Sequence, residues 1–291
     1  MKTYLDCIPC FFRQGLDAAR LATQDKVKQK KVLDEIATMI PHLSLNSTPP
    51  EMGRIIHATI RKFTNSTDPY KKVKEKYNKI ALKLYPRLKE EVKRSNDPLL
   101  VAIRIAIAGN TIDFGVSSKV NIEKELKNIL KQDFAIFDYQ DFKNTLKSTD
   151  EIVYIADNAG EVVFDRVLVE QLNKKVIYVV RDKPIINDAT IEDALFCKIN
   201  EVAKVISSGC DAPGVILRYC SDEFLNYYTR AKLIISKGQG NYETLSEEKR
   251  PVFFLLKAKC PIIARDLNCT EGDIILKYNL KVSNNKGEVC Q

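Results

Sequence analysis

The sequence predicts an α/β fold, in which a helical amino-terminal region precedes a mostly parallel sheet flanked by helices, a Rossmann-like three-layer α/β/α arrangement. Up to about residue 132 the apolar residues recur mainly with the period of a helix. From residue 133 onward, short β-branched runs alternate with amphipathic stretches at the spacing of βα units. We therefore predict a mainly helical region, 1–132, and an α/β metal-binding domain, 133–291.

The helices are predicted from apolar spacing and from start and stop residues. Pro41 ends one apolar pattern, Thr48-Pro-Pro-Glu51 has the composition of a helix start, and Asp97-Pro98 precedes a nearly all-apolar stretch that indicates a buried helix. The predicted helices cover residues 1–23 and 27–40, begin at Thr48 and Pro69, and then cover 99–108, 121–132, 162–172 and 215–228.

The strands are predicted from short apolar runs bounded by polar turns. Val252 to Leu256 is the last clear run, and the polar tail from Tyr278 onward is predicted to be a short hairpin or a loose end. The predicted strands cover residues 134–137, 152–156, 175–180, 202–206, 233–236 and 252–256.

Acidic and amide side chains follow two neighbouring predicted strands. Asp157 and Asn158 come directly after the first, and Asp188 lies in the loop after the second. Because adjacent parallel strands bring their carboxyl ends together, these side chains have the composition of a hard oxygen site for a divalent cation. The alternative is that each of them only caps a helix or makes a turn.

A lysine and two glycines follow a third predicted strand, in Lys237-Gly-Gln-Gly-Asn241. Glycines let the backbone approach a ligand and present N–H groups to an anion, and Lys237 would add positive charge. The pattern of a Walker loop is absent. The loop therefore predicts an anion site, with a flexible turn as the alternative.

Five spaced motifs resemble those of the metal-dependent damage-control phosphatases, first catalogued as domain-of-unknown-function family eighty-nine. The resemblance spans nearly the whole chain, and the amino-terminal Cys pair is similar to that of the stand-alone subfamily common in archaea. The motifs are Cys7-Ile-Pro-Cys10-Phe-Phe-Arg13-Gln14, Gly109-Asn-Thr-Ile-Asp113, Asp157-Asn-Ala-Gly-Glu161, Lys183-Pro with Asn187-Asp-Ala-Thr190, and Ser236-Lys-Gly-Gln-Gly-Asn-Tyr-Glu243.

The resemblance implies hydrolysis of phosphate monoesters of small metabolites such as sugar phosphates. It assigns a divalent ion (Mn²⁺, Mg²⁺, Ni²⁺ or Co²⁺) to Asp157, Asn158 and Asp188. The attacking group is either Asp157, through an acyl-phosphate, or a metal-activated water.

Other residues of the motifs are assigned supporting roles. Glu161 is a candidate for proton transfer or for support of the metal ligands, with a helix-terminus charge as the alternative. Asp165 and Asp193 are weaker candidates, each readable as a helix-face acid. The expected substrate-binding residues are Lys237, Asn241, Asn110, Asp113 and Arg13.

Composition limits the other classes of function. The 291-residue chain is 45% hydrophobic and has no apolar run of membrane-spanning length and no signal-peptide pattern, so we expect a cytoplasmic protein without membrane contact. Residues 1–150 hold 27 Lys and Arg against 18 Asp and Glu, whereas 151–291 hold 19 against 20. The basic run 61–94 leaves nucleic-acid binding as an alternative, although few aromatic residues interleave with its lysines.

A methyltransferase is the other alternative, because one branch of the family bears that name. The Gly-rich loop expected for S-adenosylmethionine is not present in the sequence. The oligomeric state is not indicated.

The eight cysteines are irregularly spaced and do not indicate a disulfide framework. Cys7 and Cys10 are predicted to be thiols packed in the core at a helix start, with a metal or redox pair as the alternative. Cys260 and Cys269 are the cysteines considered as partners for such a site.

Overall fold

A computed structural model describes residues 1–111 and 122–280, and it confirms the predicted three-layer α/β fold. Asp113 and the tail beyond residue 280 lie outside the described residues. The helices are α1 (Cys7–Ala22), α2 (Lys26–Met39), α3 (Pro49–Thr64), α4 (Lys71–Lys93), α5 (Pro98–Thr111), α6 (Ile122–Lys131), α7 (Tyr139–Lys147), α8 (Glu161–Leu172), α9 (Ile191–Phe196), α10 (Asp222–Arg230), α11 (Gln239–Leu245) and α12 (Pro261–Asp266), with short 3₁₀ turns at Ile40–His42, Ile199–Glu201 and Leu217–Tyr219.

Within the described residues, seven strands form one sheet in the order β1-β7-β6-β5-β2-β3-β4. All neighbouring pairs are parallel except β6 and β7, which are antiparallel. The strands are β1 (Phe134–Phe137), β2 (Glu151–Ile155), β3 (Lys175–Val180), β4 (Lys204–Ser207), β5 (Ile234–Lys237), β6 (Val252–Lys257) and β7 (Ile274–Tyr278).

The predicted neighbours β2 and β3 pair in parallel, as expected, and β5 pairs with β2 on its other side. The chain order reverses at β2, so the carboxyl ends of β2, β3 and β5 surround the place where an open α/β sheet binds its ligand. One predicted helix has the wrong start. The helix predicted over 215–228 begins at Asp222, because Ser221 caps it by accepting from the backbone N–H of Phe224. Strand β7 and helices α7, α11 and α12 were not predicted.

The two faces of the sheet have separate cores. In β2 the side chains alternate, so that Ile152 and Tyr154 face one layer and Val153 and Ile155 face the other. The first layer contains α4, α5 and α8, and the second contains α10, α11 and α12. Helix α5 is buried between α8 and the sheet, as its apolar sequence predicts.

Helices α1, α2 and α3 have a third apolar core of their own, which includes Phe11, Ile36 and Ile56. Helices α4 and α5 instead share their core with the sheet. The packing therefore places α4 and α5 with the α/β layers. The predicted division near residue 132 stays a prediction. Helix α3 starts where the sequence predicts, and the backbone N–H of Thr48 donates to the Glu51 carboxylate at 2.7 Å.

The basic run 61–94 is partly neutralised by ion pairs. In α4, the ammonium of Lys74 is buried between Asp68 and Asp193, and Lys89 pairs with Glu170. The positive charge of this helix is therefore not all available to a nucleic acid. In the part of the chain that the structure describes, every helix is too short or too polar to cross a membrane.

Candidate active site

A cleft of about 760 Å³ lies between the amino-terminal helices and the carboxyl ends of the central strands. Its walls include Arg13 on α1 and Asn110 on α5, and its floor includes Asp157, Asn158 and Asp188. A second depression, of about 770 Å³, lies at the opposite edge, where β2 and β3 begin, and it contains none of the predicted site residues. The cleft is therefore where the chemistry-bearing residues meet.

The loops after β2 and β3 are held together by backbone hydrogen bonds. The N–H of Ala159 donates to the carbonyl of Asn187 at 2.8 Å, and the N–H of Ala189 donates to the carbonyl of Asp157 at 2.8 Å. Asn158 and Asp188 pair as an isolated antiparallel bridge. The structure thus brings the three predicted metal ligands to one place.

Each of the three ligands has one polar atom engaged in hydrogen bonds and one oxygen available. Oδ2 of Asp157 accepts from the amide groups of Asn110 at 2.6 Å and Asn158 at 2.8 Å, and Oδ2 of Asp188 accepts from Nε of Arg181 at 2.7 Å. Within residues 1–111 and 122–280, Oδ1 of Asp157, Asn158 and Asp188 accepts no hydrogen bond. Two carboxylate oxygens and one amide oxygen are a donor set suited to a hard divalent cation.

The acids of the floor are buried in a way that disfavours their charge. Burial raises the pKa of Asp188 to about 7, although the nearby Arg181 guanidinium opposes the rise. Burial also raises the pKa of Asp157 to about 6, and the Glu161 carboxylate adds to that rise. A cation between them would lower both pKa values.

Glu161 lies behind the floor as the first residue of α8 and is fully buried. Its Oε2 accepts from Asn110 at 3.0 Å and from the amide group of Asn158 at 3.1 Å. Glu161 does not line the cleft. Its contacts fit a role in positioning Asn158 better than a role in transferring a proton to substrate.

Lys237 does not occupy the position that we predicted for it. Its ammonium is fully buried and contacts Glu161, Oδ1 of Asp165 at 2.7 Å and the carbonyl of Ala106 at 2.8 Å. It points away from the cleft because it is the last residue of β5 and faces the same layer as Ile235, toward α5 and α8. Lys237 therefore neutralises buried acids rather than contacting a phosphate.

Asp165 belongs to the same buried network and is not a plain helix-face acid. Its two oxygens also accept from the hydroxyl groups of Tyr154 at 2.7 Å and Tyr178 at 2.8 Å. Burial raises the pKa of Asp165 to about 6, and Lys237 opposes this rise.

Asn241, which was also predicted to bind substrate, does not line the cleft and has a structural role. Its amide group donates to the carbonyls of Ala156 and Lys237, and its oxygen accepts from Arg181 at 3.0 Å and from the N–H of Val215 at 2.9 Å. These four bonds use its whole hydrogen-bonding capacity and tie β2, β5 and Arg181 together.

Arg181, to which the sequence alone assigns no role, is a buried cation beneath the floor of the cleft. It is 1% exposed, donates to Asp188 and Asn241, and lies 3.9 Å from Oδ1 of Asp157. Its position directly after β3, in the loop that carries Asp188, is the signal that could have identified it. Its Nη1 and the Oδ1 of Asn110 are buried without a hydrogen-bond partner among the described residues.

Gly238 and Asn78 contact the loop after β2 from two sides. Gly238 has φ +78°, and a Cβ added there would lie 1.9 Å from Oδ2 of Asp157. Oδ1 of Asn78, on α4, accepts from the N–H of Gly160 at 2.6 Å, and its amide group donates to Asp193 at 2.8 Å. Asp193 thus joins α4 to the start of α9, where it forms a capping box with Thr190.

The cysteine pair differs from the prediction of a core site. Cys7 is half-buried, Cys10 is exposed, and both line the cleft together with Cys260. Cys269 packs instead against the second face of the sheet. Among the described residues, no group of three or more His, Cys, Asp and Glu side chains is arranged to hold a metal ion.

The chain resembles known proteins over nearly its whole length. The model of the damage-control phosphatase ARMT1-like domain matches residues 3–275. The chain belongs to the damage-control phosphatase family. Family membership supports a phosphatase role.

Several relatives show how extensive the similarity is. An uncharacterized protein of Methanocaldococcus jannaschii is 41% identical over 289 residues, which cover 95% of each chain. A damage-control phosphatase of Pyrococcus horikoshii is 35% identical over 96% of this chain and 99% of its own length, and one of Archaeoglobus fulgidus is 34% identical over 95% and 99%. A crystal structure of a DUF89 family protein from Pyrococcus horikoshii superimposes with a TM-score of 0.89 at 35% identity and covers 96% of this chain and 99% of that one.

Proposed function

We propose that this protein is a metal-dependent phosphatase that hydrolyses phosphate monoesters of small metabolites, with sugar phosphates as the first class to test. The observation that carries the proposal is the meeting of Asp157, Asn158 and Asp188 at the floor of the cleft, each with an available oxygen. The phosphatase names of the relatives from Pyrococcus horikoshii and Archaeoglobus fulgidus agree with it.

The charge of the buried network supports a divalent ion. Four acids, namely Asp157, Glu161, Asp165 and Asp188, carry four negative charges when ionised, and Arg181 and Lys237 carry two positive charges. The formal balance is therefore minus two. Burying uncompensated charge is costly, and one divalent cation restores neutrality.

Such an ion would supply Lewis-acid charge neutralisation on the phosphate oxygens. The protein would contribute the positioning. Asn110 and Asn158 hold one oxygen of Asp157, Glu161 holds Asn158, and Lys237 neutralises Glu161 from inside.

Positive charge for the phosphate would come from the walls of the cleft. Arg13 and Lys259 line it and are exposed, and Lys259 is close enough to Asp157 to affect its pKa. We assign to these two residues the role that the sequence suggested for Lys237, because a cation must reach the cleft to contact a phosphate.

Water is the better candidate for the attacking group. Oδ2 of Asp157 is held by two amide groups, and Oδ1 is the oxygen available to the cation, so neither is free for nucleophilic attack. The two routes differ in stereochemistry at phosphorus, which a substrate with a chiral, isotopically labelled phosphoryl group reports. One direct displacement by water inverts the configuration, and we expect inversion. Formation and hydrolysis of an acyl-phosphate on Asp157 are two displacements, so net retention would indicate that intermediate.

The function is tested by measuring phosphate release from a sugar-phosphate panel after chelation and after addition of Mn²⁺, Mg²⁺, Ni²⁺ or Co²⁺. We expect activity only with metal, and its loss in Asp157→Asn and Asp188→Asn. Asp182→Asn is the matched control, because Asp182 is an exposed acid of the same loop. Activity that survives chelation, or that survives both site variants, contradicts the proposal.

A further inference from the structure

The loop after β4 is closed on itself beside the site. The N–H of Ser221 donates to the carbonyl of Ser208 at 2.9 Å, so the two ends of the loop are adjacent. Gly209 has φ +76°, and a Cβ added there would lie 2.5 Å from the nitrogen of Ser221, so the tight closure requires glycine.

Two free cysteines lie together just inside this closure. Cys210 is fully buried and Cys220 is half-buried, and the two pack in one small apolar cluster with Ala212 and Ile216. Each thiol is close enough to the other to shift its pKa. Their sulfur atoms also lie 3.6 Å from the carbonyl of Gly214 and 3.4 Å from the carbonyl of Ile216, respectively.

The environment favours a thiolate at the buried member of this pair. The pKa of Cys210 is lowered to about 6, mainly by its contact with Cys220, while the same contact and burial raise the pKa of Cys220. In the cleft, by contrast, burial raises the pKa of both Cys7 and Cys10. The thiolate is the reactive form, so the pair of the closed loop is better prepared for exchange than the Cys-X-X-Cys pair.

We propose that Cys210 and Cys220 form a dithiol site that is oxidised to an intramolecular disulfide by a low-molecular-weight disulfide. The thiol proton of Cys220 first passes to the neighbouring Cys210 thiolate. The half-buried Cys220, now a thiolate, attacks one sulfur of the oxidant and displaces one thiolate, which takes the proton from Cys210 and leaves as a thiol. A mixed disulfide remains on Cys220, and Cys210 is a thiolate again. The Cys210 thiolate then attacks Cys220 and displaces the second thiol. The protein loses two protons and two electrons, and one disulfide molecule becomes two thiols.

The bond would constrain a loop that supports the candidate active site. The carbonyl of Cys210 accepts from the N–H of Asp182 at 3.1 Å, and the N–H of Val215 donates to Asn241. A Cβ added at Gly214 would lie 2.5 Å from the carbonyl of Gly240, so the loop also packs closely on α11. For a closed loop of roughly ten residues in a chain of this size, the cross-link raises the Tm by roughly 4 °C.

The test uses the full chain, first reduced and then treated with oxidised glutathione. Remaining thiols are alkylated after unfolding, and the peptides are identified by mass spectrometry. We expect Cys210 and Cys220 to be protected together and joined, with a Tm about 4 °C above that of the reduced protein. Cys220→Ser should lose both the protection of Cys210 and the shift, whereas the double variant Cys7→Ser, Cys10→Ser should keep both.

Three results would overturn the proposal. In the first, Cys220 ends as a stable glutathione adduct and Cys210 stays a free thiol that is alkylated after unfolding. In the second, either cysteine is joined to a different cysteine. A Cys210–Cys220 disulfide that leaves the Tm unchanged would show that the bond does not constrain the loop.

Discussion

Replacing Lys237 by Met separates the structural role of this lysine from a substrate-binding role. Met is similar in length and has no charge, so Lys237→Met removes the ammonium from Glu161 and Asp165 with little change in packing. All three side chains are fully buried, so water cannot replace the lost cation without opening the core.

Leaving a buried acid without its partner costs about 3–5 kcal/mol. With an unfolding entropy of about 2.1 cal/mol/K per residue, that cost lowers the Tm of the 291-residue chain by about 5–8 °C. The pKa of Asp165 is raised to about 6, so this acid can take up a proton at lower pH. We therefore expect the loss of stability to be smaller at pH 5 than at pH 8.

The assay compares the wild type with Lys237→Met by thermal and urea unfolding. Phosphate release by both proteins is measured at several substrate concentrations. Lys259→Met is the matched comparison, because Lys259 is exposed in the cleft. We expect Lys259→Met to raise KM and to leave the Tm unchanged. If Lys237→Met unfolds like the wild type and only raises KM, the assignment of Lys237 to the buried network is wrong.

Two further predictions concern the proposed binding of a metal ion by the loops after β2 and β3. Gly238→Ala should abolish metal binding, measured by calorimetric titration, because its Cβ would displace Oδ2 of Asp157 and the backbone strain alone costs about 1–3 kcal/mol. The rise in Tm produced by Mn²⁺ should grow from pH 5.5 to pH 8. The reason is that the raised pKa values of Asp157 (about 6) and Asp188 (about 7) make the folded, metal-free protein bind more protons than the unfolded chain, so its stability falls as pH rises through this range.

Both predictions have internal controls. Gly272→Ala also replaces a glycine with positive φ, but no atom lies within 4 Å of its added Cβ, so metal binding should persist there. Burial lowers the pKa of His57 to about 3. This shift changes the stability of the metal-free and the metal-loaded protein equally, so it cancels in the rise in Tm that Mn²⁺ produces. Normal metal affinity in Gly238→Ala, or an equal Mn²⁺ shift at both pH values, would contradict this account.

The sequence predicted the positions of the loops better than the directions of the side chains. Asp157, Asn158 and Asp188 were identifiable because each follows a continuous apolar run, and adjacent parallel strands bring their ends together. Lys237 was misplaced because a strand alternates its side chains between two faces, and the sequence does not say which face α5 and α8 cover.

Other features depended on contacts between distant parts of the chain. The run Ile274–Tyr278 is short and joins the sheet through pairing with β1 and β6, which its local sequence does not reveal. Arg181 and Asn78 have roles that depend on Asp188 and Gly160, and only the folded chain brings these pairs together.

The most direct test is anomalous scattering from crystals of the metal-free protein soaked in Mn²⁺. We predict one strong peak at bonding distance from oxygens of Asp157, Asn158 and Asp188, and its disappearance in Asp188→Asn. A peak at Cys7, Cys10 and Cys260 instead, or none in the cleft, would contradict the assignment of a shared ion to the loops after β2 and β3.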